Sequence, residues 1–424
     1  MNYTKVKNNK VYALLSTTIL LIAFRDCLDL SIDFAVFSGL TLIAGMVLDT
    51  QDRFFYIFSL IPFSRGLPYS EMILIILAIE IADSVLVKKD CRITVKMYLP
   101  ILIIAAIEIL DYIKYDVNSI EILYLICYMV MATYAVDFQV FKNSERKFIY
   151  GYAMGTIIAV SLVIVREINE LGLEYIFTYN VRFGANTGNR MVTNFNSNEL
   201  GLYAVVALCL LLELSKKYNG RASFVMAVVI TSIGLVSISR TFIILAALSW
   251  LIYLVMSKTP VKTVLLVVIT FGLTLILAQE LIPDFVEWIQ SYFVSRGHTA
   301  GGRLNLIADY FNWSLANPWT ALFGYSEAYT TILNSDASHN GIQEMFVCWG
   351  VLGASSGLLW IYMLIQRIKT IHPNKGLDCW IPFLIFFIFI QSIQLFTMHG
   401  YLLVMVISMI PLINREELSI GETN

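Results

Sequence analysis

Long apolar stretches separated by shorter polar connections recur along the whole chain. They are continuous rather than alternating, a pattern that predicts helices and not the strands of a barrel. About fourteen runs are present, at residues 11–24, 33–48, 53–63, 71–87, 97–113, 120–137, 147–165, 198–214, 222–238, 241–256, 261–281, 342–366, 380–396 and 400–413. The run 53–63 is short for a span, so a re-entrant segment is an alternative there. We predict an all-α polytopic integral membrane protein with about 12–14 transmembrane helices, forming one membrane domain over residues 1–424.

The distribution of lysines predicts how these helices are oriented. Three lysines in the first ten residues are followed by basic clusters at about every second connection. The clusters lie at residues 88–96, 142–147, 216–221, 258–262 and 367–375. By the positive-inside rule, these connections and the N-terminus are cytoplasmic. Two long loops, at residues 166–197 and 282–341, then lie on the outer face.

Composition agrees with a membrane class and excludes others. Of the 424 residues, 58% are hydrophobic and 14% are charged, which is too little polar surface for a soluble protein of this length. The net charge of -2 indicates no nucleic-acid partner. The six cysteines lack the spacing of a metal site, and we expect no structural disulfide. No A-x-A site follows the first apolar run, so we expect no cleaved signal peptide.

The outer loop 282–341 is the longest polar segment and carries the candidate chemistry. Apolar residues recur at helical spacing between Arg303 and Asn317, which predicts an amphipathic helix on the membrane surface. Trp313 and Trp319 then lie at headgroup depth. Such short helices serve as scaffolding that holds Arg303 in a fixed position relative to His339.

His339 is the candidate general base. It stands just before the run that starts at Gly341, and Ser338 or Asn340 is the predicted N-cap of that helix. A helix N-terminus disfavours the charged imidazolium, so the ring stays neutral and able to accept a proton. A histidine that only packs at the interface is the alternative.

Arginine, not lysine, is the cation of the predicted outer face. A planar guanidinium binds phosphate oxygens through two parallel hydrogen bonds. Arg240 is the strongest candidate because it interrupts the apolar stretch 222–256. It would lie either at an outer turn between two helices or just inside the bilayer. Ordinary surface arginines are the alternative. The predicted diphosphate ligands are Arg240 and Arg303, with Arg296 and Arg190 as weaker candidates.

Amides are dense around the end of the outer loop 166–197, and they suit either sugar hydroxyls or an ordinary hydrophilic loop. The candidate glycan ligands are Asn194, Asn196, Asn198 and Glu199. Within the spans, Glu80 and Asp83 share one helix face, as a proton relay or as a polar packing pair. The outer loops show no metal-ligand spacing and the chain shows no nucleotide motif, so we expect neither a metal nor a cofactor.

Four short motifs occur in order along the second half of the chain. They are Ser239-Arg240-Thr241, Gly302-Arg303, Asn317-Pro318 with Leu322-Phe323-Gly324-Tyr325, and Ser338-His339-Asn340 with Gly350-Val351-Leu352-Gly353. Over residues 190–366 this order resembles the O-antigen ligase and Wzy-type polymerase superfamily of bacterial envelope glycosyltransferases. In this chain Gly301 stands where many members carry a hydroxyl residue.

The resemblance implies a C-type, metal-independent glycosyltransferase in the bacterial cytoplasmic (inner) membrane, with its active site on the periplasmic face. Its donor would be an undecaprenyl-diphosphate-linked glycan. Arg240 and Arg303 match arginines thought to hold the diphosphate, and His339 matches the histidine proposed to act on the acceptor hydroxyl. The resemblance also admits a chain-length regulator protein as a partner.

Three functions remain open at this point. The first is a polymerase that joins lipid-linked repeat units into O-antigen or capsular polysaccharide. The second is a ligase that transfers the finished glycan to lipid A core or another acceptor, using the same donor and residues. The third is a flippase or secondary transporter, which would need charged residues lining a midplane cavity; only Glu80 and Asp83 fit.

Overall fold

The computed structural model shows a helical bundle in every part of the chain that it describes. Those parts are residues 3–88, 95–116, 119–172, 197–218, 220–236, 239–257, 299–326, 329–334, 339–371, 376–393 and 400–413. Within them, all regular structure is helical, which confirms the all-α class. Four helices are long and apolar enough to cross a membrane, at Ile120–Asp137, Glu145–Leu171, Asn198–Tyr218 and Gly341–Thr370.

The first half of the chain forms seven α-helices. They are α1 (Tyr3–Cys27), α2 (Phe34–Val47), α3 (Thr50–Ser59), α4 (Tyr69–Ala82), α5 (Leu99–Tyr115), α6 (Ser119–Asp137) and α7 (Glu145–Leu171). A 3-10 turn, Ile61–Gly66, joins α3 to α4. The predicted short run 53–63 is therefore a ten-residue helix that continues into this turn.

The second half supplies ten further described α-helices. They are α8 (Ser197–Tyr218), α9 (Arg221–Val236), α10 (Arg240–Met256), α11 (Thr299–Ser314), α12 (Pro318–Phe323), α13 (Tyr329–Leu333), α14 (Gly341–Ile371), α15 (Ile381–Phe389), α16 (Gly400–Ser408) and α17 (Ile410–Ile413). The predicted amphipathic helix of the long loop corresponds to α11. It ends at Ser314, and Asn317 instead caps α12, accepting a hydrogen bond from the backbone N–H of Thr320 (3.0 Å).

Helix α8 lies at the centre of the bundle. Of its apolar span, 89% of residues are buried, as expected for a helix that is hydrophobic on all sides. It packs against α7, α9, α10, α15 and α16. Polar groups at the ends of α8 are therefore surrounded by several other helices.

Glycines let α7 pack closely on α3. A Cβ added at Gly155 would come within 2.2 Å of the backbone oxygen of Ser59, and one at Gly151 would meet Phe55 and the Ser59 side chain at 2.4 Å. This is the small-residue contact that membrane helices use when they pack without a strong hydrophobic driving force. The Gly151-x-x-x-Gly155 pattern is a packing feature.

Ion pairs join the helix ends that carry the lysine clusters. Lys147 pairs with Asp52, Lys217 with Glu145 at 2.7 Å, and Arg367 with Asp137 at 2.9 Å. These contacts bring the ends of α3, α6, α7, α8 and α14 to one end of the bundle, which we call the lysine-rich end. Antiparallel helices therefore place the starts of α8 and α10 at the opposite end.

Arg53 explains the acidic pair on α4. Its guanidinium bonds to Glu80 at 2.9 Å and also pairs with Asp83. Thr50 donates a further hydrogen bond to Glu80 at 3.0 Å. A buried cation held by two carboxylates ties α3 to α4, so packing accounts for the two acidic residues.

Candidate functional site

The opposite end of the bundle gathers polar groups around the first turn of α8. Glu199 is only 3% exposed. Its carboxylate pairs with Arg65 of the 3-10 turn, and the hydroxyl of Tyr401 in α16 lies beside it. Arg65 keeps 28% of its side chain exposed. Glu199 thus anchors the guanidinium of a partly exposed arginine.

Arg240 stands on the other side of the same turn. Ser239 is the N-cap of α10, and its hydroxyl donates to the side-chain oxygen of Asn198 at 3.0 Å. Gly201 allows this approach, because a Cβ there would lie 3.1 Å from Ser239. Arg240 follows as the first residue of α10 and is half-buried. The predicted helix junction at this arginine is confirmed.

Two segments that carry arginines, the turn of Arg65 and the start of α10 with Arg240, therefore meet at the N-terminus of the central helix. Arg65 is fixed through Glu199, and Arg240 follows the Ser239–Asn198 contact. The exposed N–H groups and the dipole at a helix start add positive potential to the guanidinium charges. We call this group of residues, Arg65, Asn198, Glu199, Ser239 and Arg240, the arginine site. Such an arrangement suits a phosphate or diphosphate ligand.

Two other arginines, at the ends of α1 and α7, are engaged in packing contacts. Arg25, at the end of α1, donates to the backbone oxygen of Gly66 at 2.6 Å and pairs with Asp26 at 2.8 Å. Arg166, at the end of α7, is 3% exposed and pairs with Glu170 at 2.8 Å. These arginines are engaged in packing, whereas Arg65 keeps an exposed edge.

His339 begins a second polar region at the start of α14. Asn340 is the cap, since its side-chain oxygen accepts from the N–H groups of Ile342 (3.2 Å) and Gln343 (3.0 Å). His339 is half-buried and has a left-handed backbone, with φ of 50°. Of the two predicted caps, Asn340 fills the role, and Ser338 lies outside the described residues. The predicted helix start after His339 is confirmed.

Helix α11 packs on this region. The side chain of Gln343 donates to the backbone oxygen of Ile307 at 2.7 Å. Arg303 lies one helical turn before Ile307 in α11, although its side chain is outside the part described. The backbone geometry brings the segment of Arg303 to the start of the helix of His339.

Helix α14 is broken at Gly350, which has φ of 58° and ψ of -164°. The segment after α12 fills the break: the N–H groups of Tyr325 and Ser326 donate to the carbonyls of Val347 and Cys348, both at 2.8 Å. Gly324 (φ of 87°) faces this contact. A broken helix within a bundle of apolar helices needs such partners, because its released carbonyls have no water nearby.

Two buried carboxylates of α5 lie against the same segment. Glu108, 1% exposed, accepts from the hydroxyl of Ser326 at 3.0 Å and from the indole N–H of Trp349. Asp111 is completely buried, and Trp319 and the backbone N–H of Ser326 lie beside it. Neither contact reaches hydrogen-bonding geometry in the described structure. Glu108 is therefore the group that holds the break.

The structure groups the predicted site residues into two regions. Asn198, Glu199 and Arg240 belong to the arginine site, while His339 and the helix of Arg303 belong to the region around α14. Glu199, expected to bind glycan, has its carboxylate on Arg65 and Tyr401. The remaining candidates lie outside the described residues: Arg190, Asn194, Asn196 and Arg296.

Sequence reasoning missed Arg65, Tyr401 and Glu108. Arg65 was identifiable, since it is an arginine in a connection that lacks lysines, like the other candidate arginines. Tyr401 lies in an apolar helix, and Glu108 lies one turn before Asp111 in α5. Nothing in the sequence around either residue points to its partner.

One trio of possible metal ligands occurs among the described residues. Ligand atoms of Glu213, Asp378 and Cys379 lie within 4.8 Å of one another. The trio stands at the lysine-rich end, and the ammonium of Lys216 pairs with Asp378. It is remote from the arginine site, and the bound lysine competes with a cation for the same carboxylate.

The comparisons with known proteins add no identification. No protein-family model, no curated protein and no solved structure matches this chain.

Proposed function

We propose that this protein is a metal-independent glycosyltransferase that uses a polyprenyl-diphosphate-linked glycan as its donor. The observation that carries the proposal is the arginine site: Arg65, paired with Glu199, and the helix start of Arg240, held through Ser239 and Asn198, meet at the first turn of the buried helix α8. This turn lies at the end of the bundle opposite the lysine-rich end. Buried and half-buried charges are costly in a membrane protein, and they mark functional sites by default.

The reaction needs a fixed positive site for its leaving group. The acceptor hydroxyl oxygen bonds to the anomeric carbon while the bond from that carbon to the diphosphate oxygen breaks. The electron pair leaves with the diphosphate, and the hydroxyl proton goes to His339. Guanidinium groups held in advance stabilise the developing charge without reorganisation. Glu199 and Tyr401 hold Arg65 for this task, and the Ser239 cap fixes the start of the helix that carries Arg240.

The finer topology belongs to the same proposal. The N-terminus and the lysine clusters are cytoplasmic, and the arginine site faces the periplasm together with the loops at residues 166–197 and 282–341. A lipid-linked donor in the outer leaflet of the cytoplasmic membrane then reaches the arginines with its diphosphate at headgroup level. The glycan extends away from the membrane.

Within this chemistry we favour the polymerase over its alternatives. It would join undecaprenyl-diphosphate-linked repeat units into O-antigen or capsular polysaccharide. The ligase alternative uses the same donor and the same residues. We favour the transporter alternative less, because the ion pairs of Arg53 with Glu80 and Asp83 are in keeping with a packing role for these two carboxylates.

The surface polysaccharide of a deletion strain separates polymerase from ligase. A missing polymerase leaves single repeat units on the core, whereas a missing ligase leaves full-length polymer on the lipid carrier. We expect single repeats, and we expect wild-type protein but not His339→Ala to restore the ladder. Accumulated lipid-linked polymer would assign the ligase function instead.

A further inference from the structure

The break in α14 places a short helical segment directly behind His339. Residues 341–349 form one part of the helix, with Asn340 as its cap, and residues 351–371 form the other. Because Gly350 has a positive φ, the first part is not held by the continuous hydrogen bonding of a straight helix. Its position depends on what contacts it at the break.

Three contacts of different kinds meet at that point. Backbone N–H groups of Tyr325 and Ser326 bind the carbonyls of Val347 and Cys348. The two chain segments interlock so closely that a Cβ on Gly350 would lie 2.3 Å from the backbone carbon of Leu322. The third contact is made by a side chain: Glu108 of α5 binds both Ser326 and Trp349.

Glu108 thus bonds both sides of the interlock. One carboxylate oxygen accepts from the loop that follows α12, and the other accepts from the last residue before the break. Both oxygens lie in an interior where a lost partner leaves a buried polar group unsatisfied. Deleting the carboxylate would therefore release Ser326 and Trp349 together.

We propose that Glu108 is a positioning residue: it fixes the segment 341–349, and through it the place of His339 at the proposed transfer site. This rests on the proposed function. Glu108 acts through hydrogen bonds and not through its charge. A glutamine at this position supplies an oxygen for the indole N–H and an N–H for the Ser326 hydroxyl, so it can replace both contacts.

The test compares Glu108→Gln with Glu108→Ala in purified protein. Misplacing a reacting group by roughly 1 Å costs about 10²-fold in rate, so we expect a loss of that order in turnover for Glu108→Ala, with donor affinity unchanged. Glu108→Gln should stay near wild type. Trp349→Phe, which removes only the indole N–H, should fall between them.

The second readout does not depend on the enzyme activity. Cys348 is completely buried beside the break, and peptide mass spectrometry follows its maleimide labelling separately from that of the other cysteines. We expect faster labelling of Cys348 in Glu108→Ala and wild-type labelling in Glu108→Gln.

Each outcome has one meaning. Unchanged Cys348 labelling in Glu108→Ala would overturn the positioning role, whatever the activity. Equal damage in both variants would show that charge, not hydrogen bonding, is what matters. Faster labelling with normal turnover would show that Glu108 holds the break but does not determine the position of His339. A wild-type protein without transfer activity would instead contradict the proposed function, and the labelling would still test the interlock.

Discussion

At the scale of single residues, the proposed chemistry depends on which cations are engaged in packing and which keep an exposed edge. Arg53 and Arg166 are almost fully buried in ion pairs. Arg65 keeps 28% of its side chain exposed, and Arg240 is half-buried at the start of α10. The burial and the ion pairs of each arginine, and not the number of arginines, distinguish an arginine that can bind phosphate from one that only packs.

Lysine replacements test whether these arginines act as planar forks. In Arg65→Lys and Arg240→Lys the charge remains, but the paired hydrogen bonds to phosphate oxygens are lost. We expect polymer formation to fall by about 10²-fold or more, the cost of losing one preorganised donor. Turnover at equal protein level is the measurement.

Arg221→Lys is the matched control, because Arg221 is exposed at the start of α9, on the lysine-rich side. It should polymerise normally. Normal polymer from both Arg65→Lys and Arg240→Lys would reduce these residues to bulk positive charge.

The sequence identified part of this site and could not identify the rest. Arg240 stood out because it interrupts an apolar stretch, and an isolated charge there has few explanations. The role of Glu199 was not predictable, because its partners Arg65 and Tyr401 are more than a hundred residues away on each side. Contacts of that kind appear only when the helices are packed.

At the scale of elements, apolar periodicity found the helices but not their interruptions. The run 342–366 was expected as one span, and α14 indeed covers it. The pattern of apolar residues did not predict the break at Gly350, because an isolated glycine inside a helix usually marks close packing. The motifs around Gly324 and Gly350 have their explanation in the interlock of two chain segments.

Alanine replacements at glycines test that interlock. Gly350→Ala requires a positive-φ, extended backbone conformation that is essentially restricted to glycine and costs another residue about 1–3 kcal/mol. The added Cβ would also press on the backbone of Leu322. We expect a loss of stability of at least that size, measured as a lower Tm of the purified protein.

Gly39→Ala is the control, since a Cβ on this helical glycine of α2 meets nothing within 4 Å. Helix propensity predicts a gain of about 0.5–1 kcal/mol there. If Gly350→Ala had the same Tm as Gly39→Ala, this result would contradict the break in α14.

At the scale of the whole molecule, the lysine pattern and the packing describe the same arrangement. The ion pairs collect the helix ends that carry the clusters at residues 142–147, 216–221 and 367–375 on one side. The sequence could predict this because the positive-inside rule acts on individual connections and needs no tertiary contacts.

Cysteine labelling tests the sidedness. Ala316 follows α11 and Thr370 lies near the end of α14, and both are exposed. A maleimide that cannot cross the inner membrane should label Ala316→Cys in intact cells. It should label Thr370→Cys only after permeabilisation, with the parent protein as the background. The reverse pattern would invert the proposed orientation.

The proposal of metal-independent transfer has its own test. Guanidinium groups, not a divalent cation, stabilise the leaving diphosphate, so turnover of the purified protein should survive EDTA. Loss of turnover that Mg²⁺ or Mn²⁺ restores would show that the arginine site does not act alone.

The most direct test of the account is glycan transfer by purified protein supplied with undecaprenyl-diphosphate-linked repeat units. Wild-type protein should extend the lipid-linked glycan. His339→Ala should lose about 10²–10⁴-fold in rate, the usual contribution of a general base, while it still binds undecaprenyl diphosphate; His298→Ala should be much milder. No transfer by the wild type would contradict the proposed function. Turnover by His339→Ala as fast as that of the wild type would contradict the role of His339 as the general base.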